Sequence, residues 1–208
     1  MKTVRITMLF ICIAFFAIDA KAQTNYYMET RTFYEDGFTF QADFERSVDA
    51  LLRSGTRSAN LDMSHPHGRV ILYNKSNRLR NVEQRHRDGS LVRDCLESPP
   101  VTADDVMETR RLIRTIFRNA LSAEEKQRIG NHRLGLTLFV NPDTGEVMEV
   151  EFRFNSSSPF ATIPVSVFRQ IELDLKEQVN IPATPFGRTM NFLRVSPSFF
   201  VNYQSWER

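Results

Sequence analysis

The chain has 208 residues, a formal net charge of +2, two cysteines and an aromatic share of 11%. That length suits one domain or two small ones and is enough to bury a core without cross-links. A charge so close to neutral excludes a protein steered globally to nucleic acid or another polyanion.

The first segment has the three parts of an export signal. Lys2 and Arg5 form a positive start, Met8 to Ile18 is an apolar run, and Ala20-Lys21-Ala22 supplies small residues at the −3 and −1 positions of a cleavage site. We expect cleavage between Ala22 and Gln23. The apolar run is shorter than the about 20 residues that a spanning helix needs and is broken by Asp19, which argues against a retained anchor. Cys12 follows the bulky Ile11, a poor context for lipidation. Losing Lys2, Arg5 and Lys21 against Asp19 leaves balanced charge, so the excess positive charge belongs to the leader. Cys95 is then the only cysteine, which excludes an intramolecular disulfide.

Residues 23–98 read as a strand-rich N-terminal subdomain. Tyr26–Tyr34 and Phe38–Phe44 flank Asp36-Gly37, a hairpin signal because glycine accepts the positive φ of a tight turn. Val48, Leu51 and Leu52 are spaced for a short helix that Gly55 ends, and 54–68 is polar and loop-like. Arg69–Tyr73 is a strand. Asp88-Gly89 suggests a second turn, joining a Leu79–His86 strand to Ser90–Arg93. Ser98-Pro99-Pro100 stops what precedes it.

Residues 99–132 form a helical segment. Thr102 is an N-cap, Asp104 and Asp105 suit the first turn, and Val106, Ile113, Ile116, Phe117 and Ala120 share one stripe. Ser122 with Glu125 is a capping box for a second helix that ends at Gly130. Arg110, Arg111, Arg114 and Arg118 read as a solvated face.

Residues 133–208 form a β-β-α-β unit. Leu134, Leu136, Leu138 and Val140 alternate toward one face; Met148, Val150, Phe152 and Phe154 do so after the turn Asn141–Gly145. By the same alternation Glu149 and Glu151 fall on an exposed face. Asn155–Thr162 reads as a solvated serine-rich connection. Pro164 opens a helix carrying Phe168, Ile171, Leu175 and Val179. Met190–Val201 is the closing strand, part of which Pro197 demotes to an edge or bulge, and we expect an open edge there. The fold class is therefore α+β with an antiparallel sheet.

Two resemblances add to this reading. The stretch "LGLTLFVNPDTGEVMEVEF", the helix "VFRQIELDL" and the closing strand resemble the C-terminal domain of TonB-type energy transducers over about a third of the chain. That resemblance implies a module that binds protein or peptide, commonly through strand edges, and does no chemistry. "YYMETRTFYEDGFTF", "VILYNKSN" and "FVNPDTGEVMEVEF" are similar to a family of small secreted proteins of unknown function from Bacteroides-type gut bacteria. This implies a periplasmic or extracellular home and assigns no activity.

For chemistry, His65-Pro66-His67 offers two ligands where a metal site wants three or four. Asp62 and His86 are the nearest additions, and a polar surface loop accounts for the pair better. Cys95, as a nucleophile, needs a basic partner, and His86 and His132 are the only further histidines. We therefore assign no catalytic, cofactor-binding or metal-binding residue and no cofactor. The expectation is a non-catalytic binding module of the bacterial envelope, with an envelope protein, a peptide or a surface glycan as partner and no nucleic acid. The alternative is a small extracellular hydrolase whose site is assembled from distant residues, with His65, His67, His86 and Cys95 as its first suspects.

Overall fold

A computed structural model describes residues 25–35, 37–46, 68–92, 98–130, 132–196 and 199–200. The export signal, the 47–53 helix, His65, His67 and Cys95 lie outside these. The strands are β1 (Arg31–Glu35), β2 (Phe38–Arg46), β3 (Gly68–Asn74), β4 (Arg133–Val140), β5 (Val147–Asn155), β6 (Leu193–Val195) and β7 (Phe199–Phe200). The helices are α1 (Ala103–Ala120), α2 (Ala123–Ile129) and α3 (Val165–Gln178). The protein is α+β, with strand-rich ends around a helical middle segment.

Every described strand pairing is antiparallel, and the sheet runs β1-β2-β3-β5-β4-β6, with β7 continuing along β4. The N-terminal and C-terminal segments thus share one sheet, joined where β3 pairs β5. Gly37 and Gly89 both take positive φ, at 83° and 87°, as the expected turns require. The second turn is smaller than expected. Arg85 bridges Leu91, but Leu79–Asn81 is a 3₁₀ turn and no strand runs from 79 to 86.

One sheet face carries the core. Phe40, Ala42, Val70, Leu72, Leu136, Leu138, Val150 and Phe152 are buried there beneath Ile113, Ile116 and Phe117 of α1 and Phe168, Ile171 and Leu175 of α3. Tyr27 sits among aromatic rings, 5.3 Å from Phe33, 5.4 Å from Phe154 and 6.2 Å from Phe168. The caps are as the residues dictate: Thr102 accepts from the Asp105 N–H, and Ser122 and Glu125 complete the capping box.

Two local expectations change. The β4–β5 register shifts between Phe139 and Val140, and a bulge there turns Val147 inward and leaves Met148 half-buried. The serine-rich connection is not solvated. Pro159–Thr162 is a 3₁₀ turn with Phe160 and Ala161 buried, and Ser156 and Ser158 are buried as well. Their hydroxyls accept backbone N–H bonds from Gly68 and Phe160, which is why the polar sequence tolerates burial.

Candidate binding loop and its cleft

The sheet face away from the helices carries the odd-numbered residues of β2, β3 and β5, and the 75–92 connection lies against it. Ordered connections of this length are uncommon without a role. Polar side chains of the sheet hold it down in sequence order. The Asn77 side chain donates to the Val150 carbonyl at 2.9 Å. The Glu149 carboxylate accepts the N–H groups of Arg78 (2.7 Å) and Leu79 (2.9 Å). Further on, Gln84 donates to the Phe192 carbonyl, and the Arg85 N–H donates to the Asn191 side chain.

Arg80 is the central clasp. Its guanidinium pairs with Asp43 at 3.0 Å and with Glu151 at 3.5 Å. Glu151 is also paired with Arg153. The Tyr73 hydroxyl donates to Asp43 at 3.0 Å. Burial pushes the Tyr73 phenol above its ordinary range, Arg80 works against that rise, and the bond to Asp43 adds to it. Glu149 and Glu151 therefore do not form an exposed acidic face. Glu151 is buried and Glu149 half-buried because the connection covers them.

At the tip the chain turns back, with the His86 N–H donating to the Ser90 carbonyl and the Gly89 N–H to the His86 carbonyl. His86, Arg87, Asp88, Ser90, Phe186 and Thr189 line an open cleft of about 550 Å³. The His86 ring stands edge-on to Phe186 at 5.5 Å. The Thr189 hydroxyl lies 2.7 Å from the Phe186 carbonyl, to which it donates, and 2.8 Å from His86 Nδ1. The Ser90 hydroxyl, then its N–H, hold the Asp88 carboxyl below the usual range. Arg87 is paired with Asp143 at 2.5 Å.

Phe186 is placed by Gly187, whose α-carbon has backbone against it: a β-carbon there would lie 2.3 Å from the Pro100 carbonyl oxygen. Thr184 binds the same segment, its N–H reaching Pro100 O and its hydroxyl Pro99 O. Pro99 and Pro100 thus support the cleft.

Of the residues singled out for chemistry, His86 lies in the cleft among the described residues. His132 is exposed ahead of β4. Arg80 turns inward, while Arg85 and Arg111 pair with Glu83 and Glu108 at the surface. The closing strand is broken into β6 and β7, and its expected open edge is occupied at its start, where Arg87 N donates to Thr189 O and Asn191 N to Arg85 O. Among the described residues no group of three or more His, Cys, Asp or Glu side chains could hold a metal ion, and no helix is long and apolar enough to cross a membrane. Sequence reasoning missed Phe186 and Thr189, and it did not foresee that Arg80 turns inward to Asp43 and Glu151. The one available signal was the length of the polar stretch between two well-defined elements.

No curated protein matches the chain. A crystal structure of a DUF5043 family protein from Bacteroides uniformis ATCC 8492 is similar, with a TM-score of 0.65 and 30% identity over 83% of this chain and 86% of that one. The model of the DUF5043 family, a domain of unknown function, matches residues 23–197, and the chain belongs to that family.

Proposed function

We propose that this protein is a non-catalytic binding module exported to the bacterial envelope, with the 75–92 loop and its cleft as the recognition surface. One observation carries the reading: a long polar connection is clamped onto the sheet by Glu149, Glu151, Asp43 and Asn77, and this fixes an exposed tip beside Phe186. Rigid scaffolds that hold an ordered loop are a common basis for binding. The cleft's polar groups are largely engaged with one another, which suits orienting a ligand more than activating one.

The export reading is supported by the tripartite pattern of residues 1–22, with cleavage after Ala22 and a periplasmic or secreted product. The TonB-like order of the C-terminal segment supports binding over chemistry. The partner would be an envelope protein, a peptide or a surface glycan. Immobilised protein is incubated with envelope extract and with a panel of surface glycans, beside a His86→Ala/Phe186→Ala variant that keeps its melting temperature. A ligand retained by the parent and lost by the variant supports the reading. Equal retention by both, or none by either, overturns it. N-terminal sequencing of the exported protein tests cleavage, which predicts Gln23 as the first residue.

A further inference from the structure

The two ends of the sheet differ. Residues 85–87 flank 189–191, the segment that leads into β6, while β1 pairs only with β2 among the described residues. We propose that the outer edge of β1 is a homodimer interface, in which Arg31–Glu35 pairs antiparallel with the same strand of a second copy about a two-fold axis at Phe33.

The hydrogen-bonding phase permits this register. The Lys75 N–H donates to Thr39 O at 2.8 Å, so the odd residues of β2 turn their backbone groups toward β3. The even residues turn toward β1, as the Phe44 N–H does in reaching Thr30 Oγ1 at 3.0 Å. Phe38, Phe40 and Ala42 face Glu35, Phe33 and Arg31, whose backbone groups are thereby spent on β2. Thr32 and Tyr34 are left with N–H and C=O pointing out. An axis at Phe33 sets Thr32 against the second copy's Tyr34, and the reverse, so all four outward groups of each strand are paired.

The same register is self-complementary in charge. Arg31 falls opposite the second copy's Glu35 at both ends of the pairing. Neither has an ion-pair partner among the described residues, and Tyr34 between them is 78% exposed. Moving the axis to Thr32 or Tyr34 sets a charged side chain against Phe33 instead. Edge strands carrying charge usually resist pairing with themselves. Here the order of the charges makes one pairing favourable, and it closes a two-fold dimer with no free β1 edge left over.

The purified protein is examined by sedimentation velocity over a concentration series. The expected result is a dimer that Arg31→Glu or Glu35→Arg each weakens about tenfold, since two cross-strand charge pairs become like-charged. An equimolar mixture of the two single variants regains the dimer, because every cross-strand pair between unlike chains then sets an acidic side chain of one variant against a basic side chain of the other. Tyr34→Pro, which removes one outward N–H and spares the β2 ladder, abolishes association while the circular dichroism spectrum is unchanged. A protein that stays monomeric up to its solubility limit overturns the proposal. So does a dimer indifferent to the single reversals, or a mixture that fails to recover.

Discussion

The Arg80 guanidinium lies 3.6 Å from the centre of the Tyr73 ring while pairing with Asp43 on β2 and Glu151 on β5. One side chain from the loop therefore ties three adjacent strands on the face without helices. Replacing it removes a stack, two ion pairs and one cation of a buried carboxylate. Arg80→Ala is expected to lower unfolding free energy by about 2–3 kcal/mol, read from urea denaturation. Arg80→Lys restores charge without the planar fork, and it stays destabilised by about 1 kcal/mol or more.

Glu149 acts on the loop without touching the core. Glu149→Ala withdraws the acceptor of the Arg78 and Leu79 N–H groups, at an expected cost of about 1–2 kcal/mol. Hydrogen exchange should separate it from a general loss of stability: amides of 78–92 speed up, while those of β4 and β5 hold.

Gly187→Ala places a methyl 2.3 Å from the Pro100 carbonyl oxygen, against backbone that cannot rotate away. Overpacking of this kind costs about 2–3 kcal/mol. The shift carries Phe186 with it, so any ligand of the cleft is lost together with the melting temperature. Gly89→Ala, in open space at positive φ, strains the loop tip with no clash and makes a useful contrast.

Tyr27 is fully buried and gives its proton to the Ile163 carbonyl at 3.0 Å. Burial, then Tyr26 and Glu35, drive its ionisation far above the ordinary value of 10.0. The folded state keeps the proton that the unfolded chain releases. Stability from this group is thus complete below pH 10 and falls above it, by up to about 1.4 kcal/mol per pH unit. Tyr73 is shifted the same way and adds to the slope. Tyr27→Phe should cost about 1–3 kcal/mol near neutral pH through the stranded carbonyl. It should also flatten the alkaline slope in denaturation at graded pH.

Much of the fold is legible in the residues. The β1–β2 hairpin, the caps at Thr102 and Ser122 and the apolar stripe of α1 each depend on neighbours in sequence, and each is present. The failures have one cause. Alternation assigns Glu149 and Glu151 to solvent because it knows only which face is apolar, and here a polar loop comes back from far along the chain to cover the other face. Ser156 misleads for the same reason, since its partner Gly68 comes from β3, far away in sequence. The bulge at Met148 adds a residue that strict period-two reading cannot anticipate. His86 could be named in advance; its setting by Phe186 and Thr189, about a hundred residues later, could not.

The pairing of β3 with β5 has a consequence for how the chain acquires its shape. Val70 and Leu72 meet Phe154 and Phe152 across a ladder that brings together strands made far apart in time. As the polypeptide emerges, β1, β2 and β3 form a meander whose inner strand shows an apolar, unpaired side until some eighty residues more have followed. Loop closure of that span comes before the contacts that reward it, which makes assembly slow and the half-made sheet adhesive. A nascent chain truncated anywhere between β3 and β5 should bind a holdase, and release from it should coincide with synthesis of β5.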